Sequence, residues 1–308
     1  MIQKLSSKNG FVLYRVRDRN LPEKTFILSS KYARDVLFKP YLAGKELQDG
    51  MDKVGETFVK AMGMAVKGSK LKNACELVLL SGGLFYGINH GFKKVYGEAL
   101  PQCFIGIKRR KIEGTKGRFV ADADYKNFES LPNNATIIIG DTIATAATLE
   151  KATSLLFNEM KKAKLKLNRL IITSLACSYS GGKRIRKIEK EMKRSFPDSE
   201  LFLFVCEEFF HLMPDGTDLR FFGKTALFPE ETKKHILKNY GEFLGRKMKC
   251  AVFDWGTRCK NPLAHYNEFL HFCNNMLKDK IDQRSRKILL GMKRKAERKK
   301  MFFEKLKL

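Results

Sequence analysis

The 308-residue chain carries 60 Lys or Arg against 33 Asp or Glu, a net charge of +27, with 44% apolar residues and a mean hydropathy of −0.32. That balance allows a sizeable packed core and excludes collagen-like, disordered and disulfide-scaffold chains. No apolar run approaches the roughly 18–20 residues of a spanning helix, and the opening MIQKLSSKNG has no apolar leader segment, so a cytoplasmic protein with no membrane partner is expected.

In chain order, residues 25–66 place Leu37, Leu42, Met51, Val54, Phe58 and Met62 at near-helical intervals. This predicts helices, with Gly50 and Gly63 as interruptions. Short apolar runs then alternate with amphipathic segments: Glu76–Leu80, Gln102–Ile107, Thr136–Ile139, Leu170–Leu175 and Leu201–Val205. Runs of this length, rich in Ile, Val and Phe, read as strands buried on both faces. Helical candidates at Thr148–Lys164 and Lys183–Lys193 are long enough for right-handed crossovers. The expected fold class is α/β, an open, mostly parallel sheet flanked by helices. From Phe228 onward the pattern changes to charged helical stretches, one apolar patch (Cys250–Phe253) and a basic tail. The expected division is an α/β domain over 1–227 and a mainly helical extension over 228–308.

The seven cysteines are scattered, odd in number and never spaced C-x-x-C, as expected of reduced, buried thiols. Cys250, Cys259 and Cys273 with His265 and His271 fit no familiar zinc spacing, so no metal ligand is assigned. Positive charge concentrates in Arg284–Leu308, which holds eleven Lys or Arg against two Glu. Its apolar positions Ile288, Leu289, Met292, Met301, Phe302 and Leu306 give it the pattern of a basic amphipathic helix. Such a segment suits RNA or another polyanion, and equally a solvated or self-packing helix at a dimer interface.

The most informative segment is Ala135–Lys151, ATIIIGDTIATAATLEK. Three isoleucines form a strand ending at Gly140-Asp141, small and hydroxylated residues follow, and a helix begins near Thr148. Free N–H groups at a helix start suit a phosphate monoester, and an acid at a strand end suits ribose hydroxyls or Mg²⁺. The plainer alternative is an ordinary strand–loop–helix with a threonine cap. The segment resembles the signature of type I phosphoribosyltransferases that binds phosphoribosyl pyrophosphate (PRPP). Gly140-Asp141 matches the acidic pair, Thr145 the first threonine, Ala146 and Ala147 the small residues and Thr148 the last hydroxyl. Two positions depart from that signature: Gly140 replaces an acid, and Ala146 stands where glycine lets the backbone curl around the phosphate.

Other segments resemble the uracil phosphoribosyltransferase branch, in the same order. Arg17-Asp18-Arg19-Asn20 with Phe26 resembles its amino-terminal element, and Leu80-Ser81-Gly82-Gly83-Leu84 its pyrophosphate loop, with Ser81 in place of arginine. Phe104–Arg109, continuing through Tyr125 to Leu131-Pro132, resembles its strand and mobile hairpin. Ser178–Gly182 matches a short loop before a helix. Pro197-Asp198 followed by Glu207-Glu208, and then Leu212–Gly223, resemble the stretch that ends in the base-recognition loop, here about two residues shorter. The likeness spans roughly residues 14–225; residues 228–308 have no counterpart in it.

The resemblance implies a glycosyltransferase that moves ribose 5-phosphate from PRPP to a uracil-like pyrimidine base, with Mg²⁺ and release of pyrophosphate, in a homodimer. Asp141, Thr142, Thr145, Ala146, Ala147 and Thr148 would hold the phosphate and ribose. Ser81, Gly82 and Gly83 would hold pyrophosphate, and Met213, Pro214, Gly216 and Asp218 would read the base. Asp141, Lys108 and Arg109 are the catalytic candidates, with Lys111–Asp124 as a lid. His211 reads as a packed or rim histidine and Trp255 as an anchor of the extension. The departures at Gly140, Ser81 and Ala146 leave open a non-catalytic, nucleotide-sensing or RNA-associated protein of the same fold, or an enzyme exchanging bases on RNA.

Overall fold

The computed structural model describes residues 1–66, 71–80, 85–111, 119–249 and 255–306. The chain opens with the hairpin β1 (Ile2–Lys8) and β2 (Phe11–Val16), continues into β3 (Lys24–Ser30) and turns helical in α1 (Lys31–Phe38) and α2 (Lys45–Ala65). Strands and helices then alternate as β4 (Ala74–Leu79), α3 (Ile88–Tyr96), β5 (Gln102–Lys111), β6 (Phe119–Asn127), β7 (Ala135–Gly140), α4 (Ala147–Lys162), β8 (Leu167–Ser174), β9 (Cys177–Ser178), α5 (Tyr179–Ser195) and β10 (Glu200–Cys206). The short strands β11 (Phe209–Leu212) and β12 (Leu219–Arg220) precede helices α6 (Glu230–Asn239), α7 (Gly241–Lys247), α8 (Trp255–Lys260), α9 (Pro262–Lys278) and α10 (Gln283–Lys305).

Among the described residues one nine-stranded sheet has the order β1-β2-β3-β10-β8-β7-β4-β5-β6. The six strands from β3 to β5 in that order pair in parallel, and β1, β2 and β6 add antiparallel edges. The fold is therefore an open, mostly parallel α/β sheet with a helical C-terminal region. All five expected strand runs are strands of its parallel core, and both expected crossover helices are present as α4 and α5.

Burial on both faces explains the continuous apolar runs. Every residue of β7 is buried; Ile138 joins the cluster under α1, α2 and α3, while Ile137 and Ile139 join the one under α4 and α5. Each such isoleucine contributes roughly 1.5–3 kcal/mol relative to an exposed one. The C-terminal helices pack on the first face: Ile236, Tyr240, Leu244, Tyr266, Phe269, Leu289 and Ala296 share one cluster with residues of α1 and α2. No helix among the described residues is long and apolar enough to cross a membrane.

Two local expectations are corrected. Residues 24–30 are a strand, not a helix, because Phe26, Ile27 and Leu28 are buried between β2 and β10; helix begins only at Lys31, where the Ser30 hydroxyl accepts from the Ala33 N–H. Gly50 and Gly63 do not interrupt α2, which runs unbroken through both. The expected pyrophosphate loop (81–83), most of the expected lid (112–118) and the apolar patch 250–253 lie outside the described residues. So does the environment of the Trp255 side chain.

Candidate functional site

The sheet reverses its build direction between β4 and β7: β5 was added on one side, and β8 and β10 on the other. In such sheets the carboxyl ends of the two strands at the reversal leave a crevice in which ligands bind. Asp141 follows the end of β7 at this point. It is 7% exposed, and its N–H donates to the Thr173 carbonyl at 3.1 Å.

Tyr86 fills the other side of the crevice. Its ring is fully buried, its hydroxyl is hydrogen-bonded to the Thr142 hydroxyl at 3.0 Å, and it accepts from the Leu175 N–H at 3.1 Å. Burial first, then the Asp141 charge, raises the Tyr86 hydroxyl pKa, and the same two causes raise the Cys177 thiol. Asp141 thus lies within electrostatic reach of both neighbours. The same tyrosine accounts for Gly140. A Cβ at position 140 would lie 2.7 Å from Tyr86 Cβ and Cγ and 2.8 Å from Cδ1, so the second acid of the signature has no room.

The loop after Asp141 is held rather than loose. Ile143 bridges Cys177 in parallel, its N–H donating to Ala176 O at 2.9 Å and its carbonyl accepting from Ser178 N–H at 2.8 Å. Ala146 then adopts φ 60°, ψ 17° as the residue before α4. The left-handed turn that the glycine of the signature would make is present, formed by a residue with a Cβ, at a cost of about 1–2 kcal/mol. No side chain caps α4, so its first N–H groups keep no intrahelical partner. The Thr145 hydroxyl is buried without a hydrogen-bond partner among the described residues.

The structure brings the base-loop candidates to the same end of the molecule. Strands β12, β11 and β9 form a small sheet in which Phe209 pairs with Cys177, itself bridged to Ile143. The loop between β11 and β12 is organised by Asp215, whose carboxylate accepts from Thr217 N–H at 2.9 Å and Asp218 N–H at 3.0 Å. The Met213 N–H donates to Asp218 O at 2.8 Å, and the Gly216 N–H to Met213 O at 3.0 Å. Pro214 is exposed. The Asp218 carboxylate is already paired with Arg220 at 2.9 Å and Lys249 at 3.4 Å.

A surface depression of about 440 Å³ joins the two loops, lined by Thr145, Glu150, Ser180, Lys183, Arg184, Lys187 and Leu212. Its three cations, all from α5, were not among the expected site residues. Their signal was nonetheless present as Lys-Arg directly after the Ser-Gly-Gly run, with Lys187 one turn on. Arg184 is ion-paired with Glu150. The Ser178 hydroxyl starts α5 by accepting from the Gly181 N–H at 2.7 Å.

Other expected participants lie apart or are engaged. Lys108 sits on the exposed stem of the β5–β6 hairpin, 2.8 Å from Asp124; that pairing raises the lysine pKa and lowers the aspartate's. Arg109 lies in β5 opposite Ala121. His211, partly buried, shares a 2.8 Å hydrogen bond between Nδ1 and the Thr225 hydroxyl. Glu207 is fully buried at φ 61° and accepts from Arg34, Ser29, the Ser30 N–H and Thr232. Its neighbour Glu208 is fully buried, and neither carboxylate oxygen has a hydrogen-bond partner among the described residues. Sequence pattern singled out the pair without showing their opposite surroundings. No cluster of three potential metal ligands occurs among the described residues.

No protein-family model and no curated protein matches this sequence. Among solved structures, the chain is similar to a hypoxanthine phosphoribosyltransferase from Staphylococcus aureus, with 17% identity over 44% of this chain and 67% of that one at a TM-score of 0.31. It is also similar to a hypoxanthine-guanine phosphoribosyl transferase from L. donovani, with 16% identity, 48% and 75% coverage and a TM-score of 0.32. A Trypanosoma cruzi hypoxanthine phosphoribosyltransferase complexed with the product IMP gives 13% identity, 71% and 98% coverage and a TM-score of 0.30. All three likenesses are slight by this measure.

Proposed function

We propose that the chain binds PRPP at the end of β7 and the start of α4, and transfers its ribose 5-phosphate to a nucleobase held at the β11–β12 loop. The observation that carries this reading is the position of the Asp141–Thr148 loop at the reversal point of a parallel sheet, joined through β9 to loop 213–218. Uncapped N–H groups of α4, with the Thr145 and Thr148 hydroxyls, would hold the 5-phosphate. Asp141 would accept from the ribose hydroxyls and stabilise the positive charge that develops on the ring as pyrophosphate leaves. The lysines of the depression would offset phosphate charge, and the held loops would keep the base nitrogen in line with the anomeric carbon.

Because Tyr86 excludes a second acid at position 140, Asp141 would be the signature's one carboxylate to meet Mg²⁺ beside the substrate's own phosphate oxygens, a donor set this cation accepts. The ion would supply charge neutralisation to the leaving pyrophosphate.

A second reading, a protein that binds the nucleotide without turning it over, draws on two of the departures, Gly140 closed by Tyr86 and Ala146 in a glycine conformation, and on Lys108 being engaged by Asp124. Calorimetric titration with PRPP and Mg²⁺, followed by uracil, hypoxanthine or guanine with an assay for pyrophosphate, separates the two. Binding with release supports transfer, binding without release supports the sensor, and no binding removes both.

A further inference from the structure

The depression beside Thr145 is one end of a longer feature. Helix α5 carries seven Lys or Arg against two Glu. Lys183, Lys187, Lys190 and Arg194 recur at intervals of four, three and four, which places them within about 60° of one another around the helix and along about 16 Å of its length. Lys183, Lys187, Lys190 and Arg194 are all exposed. None has an ion-pair partner among the described residues, and the flanking Glu191 pairs with none of them. The other basic residues of α5 are engaged: Arg184 with Glu150, Arg186 with Glu189 and Glu23, and Lys193 with Glu23.

We infer that this stripe is a binding surface for a single-stranded polynucleotide, whose backbone it leads toward the depression lined by Thr145, Ser180, Lys183 and Lys187. Unpaired cations in one row complement a linear polyanion, and their counter-ions are released on binding. At the depression end the Tyr179 ring is held rigidly: its hydroxyl donates to Asp18 at 2.9 Å and accepts from Asn20 at 3.2 Å, and Lys183 Nζ lies 5.7 Å from its centroid. A partly exposed aromatic ring at the end of a basic track is the arrangement single-strand binders use to stack a base.

The polar character of the face selects this partner over a bilayer. The apolar residues of α5, Ile185, Ile188 and Met192, are buried, and the helix exposes no large hydrophobic side chain, whereas an interfacial helix must insert some. Helix α10 makes the contrast. Its outward cations Lys287, Arg294, Arg298 and Lys305 stand beside exposed Leu290, Met301 and Phe302.

The test is fluorescence anisotropy of the full chain with a labelled single-stranded RNA of about a dozen nucleotides, titrated between about 50 and 200 mM salt. The variant Lys187→Gln, Lys190→Gln, Arg194→Gln removes three cations from α5, and Lys287→Gln, Arg298→Gln, Lys305→Gln removes three from α10, so net charge falls equally. The α5 variant is expected to lose about tenfold or more in affinity and about two units of log–log salt slope, with an unchanged melting curve. The α10 variant is expected to stay within about twofold of the unaltered chain, because non-specific charge alone is then the only loss. No binding by the unaltered chain, or equal losses in the two variants, overturns the inference.

Discussion

Arg258 and Leu42 lie 216 positions apart in the chain and meet inside the core, where Nε and Nη2 of the guanidinium donate to the one Leu42 carbonyl at 3.0 and 2.8 Å. The same guanidinium donates to Val36 O at 3.3 Å and Lys39 O at 3.1 Å. Tyr240 donates to Phe38 O at 2.8 Å, His265 Nε2 to Pro40 O at 2.6 Å and Tyr266 to Tyr41 O at 3.3 Å. The carbonyls at and after the end of α1 are thus met by side chains from the C-terminal helices, Lys39 O accepting from the Leu42 N–H as well. Those helices complete the turn between α1 and α2.

Arg258 is fully buried, so Arg258→Met keeps the stem and removes every donor. Buried carbonyls left without partners cost about 1–3 kcal/mol each. Urea unfolding is expected to show a loss of about 3 kcal/mol or more. An unchanged midpoint would mean that water replaces the guanidinium and that the turn does not depend on it.

Ala146 at φ 60° invites the reverse experiment. Ala146→Gly removes the left-handed penalty of about 1–2 kcal/mol and adds backbone freedom to the unfolded chain worth about 0.4–1 kcal/mol. The expected net is a gain of about 0.5 kcal/mol. Ala146→Val places a branched side chain in the same turn and is expected to lose more than about 1 kcal/mol. Equal stability of the two variants in thermal melts would show that the turn relaxes out of the left-handed region.

These two positions mark where the sequence was legible and where it was not. Strands buried on both faces, such as β7 and β8, announce themselves as short, near-continuous apolar runs, Ile137–Ile139 and Leu170–Ile172. The loop after β7 carries its own chemistry in Asp141, Thr145 and Thr148. Strand β3 offers only Phe26, Ile27 and Leu28 between hydroxyls, beside the much longer periodicity of α2, and so reads as part of a helical stretch. The partners of Arg258 are backbone carbonyls, which have no sequence signature. Gly140 looks like a lost acid until the Tyr86 ring is seen against it. The cations of α5 look like a solvated face until the fold sets them beside Thr145.

Glu208 makes stability depend on pH. Burial first, then the Glu207 charge, holds its carboxyl well above the usual carboxylate range. The unfolded chain releases this proton near pH 4.3, whereas the folded chain retains it to higher pH. The contribution is therefore fully present below about pH 4.3 and is lost as pH rises toward the folded pKa, at up to about 1.4 kcal/mol per pH unit. Glu208→Gln removes this titration, so its stability relative to the unaltered chain should climb as pH rises above about 4.5. A difference that does not vary with pH would show that the carboxyl is charged and solvated in the folded protein.

The proposed PRPP site is tested by Asp141→Asn combined with Thr148→Ala. Both changes preserve or reduce side-chain volume, and Thr148 is only partly buried, so the melting temperature should shift by no more than about 4 °C. PRPP affinity measured by calorimetry is expected to fall by more than about tenfold, the loss of one or two charge-assisted hydrogen bonds. Unchanged affinity would place the ligand elsewhere.

The last prediction separates packing from charge in α10. Leu289 and Ala296 are fully buried, Phe303 packs on Tyr266 with ring centroids 5.8 Å apart, and Lys299 is ion-paired with Glu46 on α2. Removing residues 283–308 would uncover Tyr266, Phe269 and Cys273 of α9, which are buried in the intact chain. Each fully buried side chain of this size is worth roughly 1.5–3 kcal/mol, so the truncated chain should melt at least about 5 °C lower or fail to stay soluble. The variant Lys287→Gln, Arg298→Gln, Lys305→Gln changes exposed charge alone and should melt within about 2 °C of the intact chain, since substitutions at such positions stay within about 0.5 kcal/mol. If the truncated chain kept full stability, α10 would be a free appendage and its buried face would need another partner. If the charge variant instead lost as much as the truncation, its cations would have to hold the helix in place, contrary to their outward position.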